Sequence, residues 1–308
     1  MTTTQLPLRG IIPPMVTPLI DNDTLDKVGV ERLVEHMIAG GIHGLFALGT
    51  TGEAPSLSYD IRYQLVELSC KIVNGRIPVL VGITDTSISE SLALAEHAAR
   101  CGAAAVVSAP PYYFAPAQQE LIEYYTELAD ALPLPLYLYN MPSHVKVIFE
   151  PQTVRTLSEH PNVAGLKDSS SNMVYFNSLV HIMHDKPEFS LLVGPEELTA
   201  ECVLLGGHGG VNGGANIFPE LYVELYNAAL ACDIVRVREL QARVMEISTT
   251  LYKIGKYGSS FLKGVKCSLS LMGICSDFAA APFRKFRAEE RAKVREILER
   301  LGAEIKNP

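Results

Sequence analysis

A chain of 308 residues with 48% hydrophobic and 19% charged side chains is long enough to bury a sizeable core and too apolar for a disordered segment. Its formal net charge of -8, with no run of Lys or Arg, excludes a basic nucleic-acid surface. No apolar run approaches membrane-spanning length, residues 1–10 carry no apolar signal core, and the six cysteines form no C-x-x-C pair, so free thiols and a cytoplasmic location are expected. Histidines fall singly apart from His181 and His184, whose spacing reads as a solvated helix face, and no metal site is expected.

In chain order, residues 10–18 form a short β-like run broken by prolines, and 26–40 then show helical spacing with Val30, Leu33, Val34 and Ile38 on one face. Residues 44–49 are an apolar strand and 50–55 a polar loop, followed by a helix at 58–74 with Ile61, Leu65, Leu68 and Ile72 in register. The unit repeats: strands at 78–83, 104–110 and 136–142 alternate with helices at 87–101, 118–131 and 150–160. Val163 to Leu166 make a sixth strand that ends at Lys167, with a helix at 173–185. A seventh strand at 190–194 precedes a helix at 198–205, and a Gly-rich eighth segment at 209–216 precedes a helix starting near Pro219.

Short continuous apolar strands alternating with amphipathic helices predict a parallel sheet covered by helices. Eight such units close into a (β/α)8 TIM barrel of roughly 250 residues. The expected division is a barrel at 1–227 and additional helices at 228–308, with a Gly-rich break at 255–258. A doubly wound open sheet is the alternative, but no G-x-G-x-x-G follows the first strand.

In a barrel, reactive groups collect where strands end, and the polar clusters here fall there. Strand two ends in Gly49-Thr50-Thr51-Gly52-Glu53, strand four in Pro110-Pro111-Tyr112-Tyr113-Phe114, strand five in Tyr139-Asn140-Met141-Pro142, and strand six in Lys167-Asp168-Ser169-Ser170. Lys167 sits where burial gives way to a polar loop, so a partly desolvated amine there could attack a ketone; a lysine simply leaving for solvent is the plainer reading of those residues alone. Backbone N–H groups beside Gly49 and Thr51 suit a carboxylate, although a Thr-capped turn fits the same loop. Strand alternation puts Tyr137 and Tyr139 on one face, where Tyr139 could pass a proton or merely pack. The same alternation puts Ser169 on the Lys167 face and Asp168 on the other, so Asp168 is not assigned as a base.

The Gly-Thr-Thr-Gly-Glu loop, the Tyr139-Asn140-Met141-Pro142 segment and Gly165-Leu166-Lys167-Asp168-Ser169-Ser170, in this order on eight units, resemble the dihydrodipicolinate synthase and N-acetylneuraminate lyase superfamily. The resemblance covers nearly the whole chain. It implies that Lys167 forms a Schiff base with pyruvate or another 2-oxo acid, without metal or organic cofactor. Tyr139 would shuttle protons and Thr50 would link it in a relay that Tyr113 completes from a neighbouring subunit. Thr51 would hold the carboxylate, and a homotetramer built as a dimer of dimers is expected. Gly49, Gly194, Glu196, Val211 and Asn212 are further candidate substrate contacts.

Two positions set the chain apart from its relatives. Dihydrodipicolinate synthases usually carry arginine where His144 stands, and a bidentate fork is not reproduced by imidazole. Sialic-acid lyases usually have Asp-Glu where this chain has Glu196-Glu197, and serine where it has Gly213. From sequence, the preferred function is therefore a pyruvate-dependent class I aldolase that cleaves or forms a 2-keto-3-deoxy sugar acid or similar 4-hydroxy-2-oxo acid. The alternatives are a dihydrodipicolinate synthase-like condensation, a Schiff-base dehydratase, and a silent barrel that binds a 2-oxo acid. For the Gly-rich segment at 209–216, room in a pocket floor and tight packing remain equally open.

Overall fold

The computed structural model describes residues 7–306. Eight parallel strands form one curled sheet: β1 Gly10–Ile11, β2 Leu45–Ala47, β3 Val79–Gly82, β4 Ala105–Ser108, β5 Leu136–Asn140, β6 Val163–Asp168, β7 Ser190–Val193 and β8 Gly209–Gly210. Each pairs with its sequence neighbour from β2 to β8, and β8 returns to pair with β1.

Closure between β1 and β2 is made by backbone that prolines keep from being regular strand. Pro13, Pro14 and Pro18 have no N–H to donate, which shortens β1 to two residues. Their carbonyls still accept: Phe46 N–H donates to Pro13 O at 3.0 Å and Met15 N–H to Phe46 O at 2.9 Å, with Pro14 bridging Phe46 in parallel. The expected barrel is thus present. Beyond it, residues Leu19–Asp21 and Thr24–Leu25 form an antiparallel hairpin that the proline-broken pattern did not announce.

Two apolar layers follow from the alternation of each strand. Inward side chains, among them Ile12, Phe46, Leu80, Val107, Tyr137 and Leu192, fill the barrel. Outward ones meet the helices, where Ile61 and Leu65 of the helix Tyr59–Val73 are buried. Each fully buried Leu, Ile or Val contributes about 1.5–3 kcal/mol relative to exposure. The helix ends at Asn74 in the left-handed conformation, and the helix Met173–Ile182 begins at Asn172, whose Oδ1 accepts from Val174 N–H at 3.0 Å and Tyr175 N–H at 3.1 Å.

The helix after β8 runs Pro219–Leu230, so residue 227 falls inside it and the break comes at the turn before the Asp233 cap. Leu225, Ala228 and Ala229 are all buried, which extends the helix across the expected boundary. Helices Ile234–Thr250, Ser260–Leu271 and Ala288–Arg300 follow. They are tied to the barrel at the carboxyl end of its strands by a buried ion pair between Lys266 and Glu53. Among the described residues no helix is long and apolar enough to cross a membrane.

Candidate active site

At the carboxyl end of the strands lies a cavity of about 460 Å³. Register places Tyr139 of β5 directly beside Lys167 of β6, and Leu192 of β7 on its other side. Lys167 is only 5% exposed. Its Nζ lies 4.2 Å from the centre of the Tyr139 ring and 5.1 Å from that of Phe46. The lysines with ionic partners among the described residues are Lys186, Lys266 and Lys285, so Lys167 reaches the cavity with no carboxylate on its amine.

The Tyr139 hydroxyl and Thr50 Oγ1 are 3.1 Å apart, with either able to donate. Thr50 and Thr51 occupy a loop bounded by two left-handed non-glycine residues, Leu48 and Glu53. Gly52 O accepts from Thr17 Oγ1 at 2.6 Å, and the Glu53 carboxylate accepts from Ala280 N–H at 2.8 Å while pairing with Lys266. The loop conformation is therefore enforced from two sides.

Of the candidates named from sequence, Lys167, Tyr139, Thr50, Thr51, Gly194, Glu196 and Val211 line this cavity. Gly49, Asn212 and Tyr113 do not. Gly49 is a turn residue: its carbonyl accepts from Gly52 N–H at 3.0 Å, and a Cβ would come within 2.7 Å of the Phe46 ring. Asn212 is fully buried, its Nδ2 directed at Gly194 O across 3.4 Å. Tyr113 stands 73% exposed, edge-on to Phe114. Asp168 faces away from the cavity, accepting from Asn140 Nδ2 at 2.8 Å and from Ser170 N–H and Oγ at 3.0 Å. Burial pushes its carboxyl up, with those donors opposing the shift.

Glu196 touches the cavity, yet its carboxylate is already engaged. Oε1 accepts from Tyr222 at 2.5 Å and Tyr252 at 2.7 Å, and Oε2 from Gly214 N–H at 2.7 Å. Burial pushes its pKa to about 7 against those three donors. The Gly-rich segment both packs tightly and reaches the cavity: a Cβ on Gly214 would meet the Tyr222 hydroxyl at 2.0 Å and one on Gly213 the Phe261 ring at 2.3 Å, while Val211 and Gly213 line the cavity.

Tyr252, Ser259, Phe261 and Phe283 also line the cavity, all from the C-terminal segment. No strand-end pattern pointed to them. His144 lines it too, exposed at its edge, with desolvation lowering its pKa and Nδ1 3.0 Å from Ser143 Oγ.

The comparisons with known proteins agree with this geometry. Residues 7–301 match the Dihydrodipicolinate synthetase family. A 4-hydroxy-tetrahydrodipicolinate synthase of Phenylobacterium zucineum is 34% identical over 93% of this chain and 95% of its own. Among solved structures, the dihydrodipicolinate synthase of Bacteroides thetaiotaomicron is 61% identical, with a TM-score of 0.95 over 96% of this chain and all of its own. YagE of Escherichia coli K12, a prophage protein of the dihydrodipicolinic acid synthase family solved with pyruvate, is 29% identical, with a TM-score of 0.91 over 96% of this chain and 99% of its own. The names of these synthases side with the condensing alternative rather than with the sugar-acid cleavage preferred from sequence. By fold and sequence alike, the chain belongs to the Dihydrodipicolinate synthetase family of Schiff-base, pyruvate-dependent aldolase-type enzymes.

Proposed function

We propose that Lys167 forms the Schiff base with pyruvate and that the enzyme joins this adduct to an aldehyde, or runs the reverse cleavage. The observation that carries the reading is a buried lysine amine, free of carboxylates, against the ring of a tyrosine whose hydroxyl is bonded to Thr50. The neutral amine attacks the ketone carbon, the carbonyl oxygen leaves as water, and an iminium forms. Tyr139, which hands its own proton on through Thr50, takes up a C3 proton to leave the enamine, whose electron pair forms the new C–C bond to the aldehyde carbon as Tyr139 returns the proton to the aldehyde oxygen. Run backwards, the iminium takes up the electron pair of the breaking bond. Thr50 bridges Tyr139 to Tyr113 of a neighbouring subunit, whose exposed position suits such a role, and Thr51 holds the pyruvate carboxylate. The assembly is a homotetramer.

The named relatives favour condensation in the manner of a dihydrodipicolinate synthase. His144, with no arginine among the residues lining the cavity, favours the second reading, an aldol reaction on a 2-keto-3-deoxy sugar acid. Borohydride reduction in the presence of pyruvate, followed by peptide mapping, tests the shared step: the adduct is expected on Lys167 and absent from Lys167→Ala. Trapping on another lysine would sink the assignment. Product masses with a panel of aldehydes and keto-deoxy acids then divide the readings, since cleavage yields pyruvate, dehydration loses water, and a silent barrel turns over none of them.

A further inference from the structure

Glu196 opens the short 3-10 turn Glu196–Leu198 just after β7, the strand that flanks Lys167. Its carboxylate gathers three segments that lie apart in the chain. Oε1 takes the hydroxyls of Tyr222, from the helix after β8, and of Tyr252, from the C-terminal segment, while Oε2 takes Gly214 N–H from the loop after β8. Its neighbour extends the tie, because Gln241 Nε2 donates to Glu197 O at 2.6 Å and Ser248 Oγ donates to Glu197 Oε1. A carboxylate offers about four lone-pair sites, and three of those on Glu196 are filled by the protein itself.

The backbone does not position Tyr252 unaided. Residues Leu251–Lys256 form 3-10 turns broken at Ile254 (ψ 132°) and Gly255 (φ 78°), so no regular ladder runs through them. Beyond the break, Phe261 packs edge-on to Tyr252, with ring centres 4.7 Å apart and planes at 77°. Phe261 also occupies the space a side chain at Gly213 would need. Glu196 therefore holds Tyr252, Tyr252 supports Phe261, and both rings line the cavity.

With pyruvate on Lys167 and its carboxylate at Thr51, on the β2 side, the lining left beside β7 and β8 includes this aromatic pair with Val211 and Gly213. We propose that Glu196 is a positioning residue that fixes the Tyr252–Phe261 pair as the wall against which the aldehyde is held, acting through those rings without touching the substrate. The inference rests on the Schiff-base reading and gives Glu196 a role different from the substrate contact expected from sequence.

Initial rates with pyruvate and aldehyde varied separately test it, using glyceraldehyde, which carries hydroxyls, and succinate semialdehyde, which has none. Tyr252→Phe keeps the ring and cuts its tie to Glu196, avoiding the three stranded donors that Glu196→Ala would create. It should raise KM for both aldehydes about tenfold, as for loss of a bond to a charged acceptor, and KM for pyruvate less than about twofold. Tyr222→Phe loses a bond to the same oxygen but lies off the cavity; it should lower the urea midpoint comparably while raising aldehyde KM less than about threefold. Glu196→Gln should raise KM for both aldehydes alike. Equal aldehyde KM in Tyr252→Phe and Tyr222→Phe would reduce the network to a stabilising role, and a rise confined to glyceraldehyde in Glu196→Gln would place the carboxylate on substrate hydroxyls. Either result overturns the proposal, as does a rise in pyruvate KM as large as the aldehyde's. If neither aldehyde turns over, calorimetry of glycerate and succinate on the pyruvate-reduced enzyme decides: the same pattern in Kd supports the proposal, and no difference between native enzyme and Tyr252→Phe, including no binding to either, overturns it. Trapping on native enzyme keeps the two readings apart. Without an adduct on Lys167 the Schiff-base reading falls, whereas an adduct with a failed KM pattern removes only the role of Glu196.

Discussion

At the scale of single residues, the site separates making the adduct from moving protons. In the proposed reaction Lys167 is the amine and Tyr139, whose hydroxyl lies 3.1 Å from Thr50 Oγ1, is the proton carrier. Tyr139→Phe should therefore still trap pyruvate with borohydride while losing turnover by about a hundred- to ten-thousand-fold, the range of a positioned acid–base group. Loss of trapping in that variant would place Tyr139 in adduct formation instead. A different residue governs acid stability. His208 Nδ1 accepts from Leu191 N–H at 3.2 Å, so the ring is held neutral. Burial, aided by the Arg9 charge, lowers its pKa from 6.5 to about 4. The unfolded chain then binds the proton more readily than the folded one. The stabilisation is complete above pH 6.5 and is lost as pH falls toward 4, amounting to about 2–3 kcal/mol. His208→Gln keeps an acceptor without a titrating ring, and should flatten urea midpoints across that window; an unchanged slope would assign the acid lability elsewhere.

At the scale of elements, the loop carrying Thr50 and Thr51 depends on a helix far away in sequence. Lys266, fully buried in the helix Ser260–Leu271, pairs with Glu53 and donates to Phe278 O at 2.7 Å. Removing one partner strands the other charge in the interior. Lys266→Met alone should cost about 3–5 kcal/mol in urea unfolding, while adding Glu53→Gln should recover most of it. If the double variant regains stability yet its KM for pyruvate stays raised, the pair positions the loop as well as holding the fold. This dependence could not be read from the chain, since a Lys 213 residues beyond a Glu carries no local signal. Local chemistry was legible by comparison: the alternation that set Lys167 and Ser169 against Asp168 needs only period two, and the structure has Ser169 lining the cavity while Asp168 bonds Asn140. Gly49 sits in a turn packed on Phe46, an arrangement its sequence allows as readily as a ligand's approach.

At the scale of the whole molecule, one protomer leaves the proposed relay unfinished, with Tyr113 and Phe114 exposed on the loop after β4. If Tyr113 serves a neighbour's site, mixing Tyr113→Phe with Lys167→Ala protomers should restore activity that neither variant has alone, because a hybrid pair contains one intact combination. Failure to complement after subunit exchange is verified by mass would return Tyr113 to an internal or purely packing role. Light scattering on the native enzyme should give the mass of four chains.

The order of apolar strands and amphipathic helices determined the barrel, because side-chain period and element length are local properties that no distant contact must supply. The strand-end motifs determined the family and the candidate lysine for the same reason. Tertiary structure alone decided which candidates share a cavity, that Glu196 is spent on Tyr222, Tyr252 and Gly214, and that Tyr252, Ser259, Phe261 and Phe283 of the C-terminal segment line that cavity. Those facts depend on where closure of the barrel brings residues separated by most of the chain, and such long-range coincidence leaves no periodic trace in the sequence.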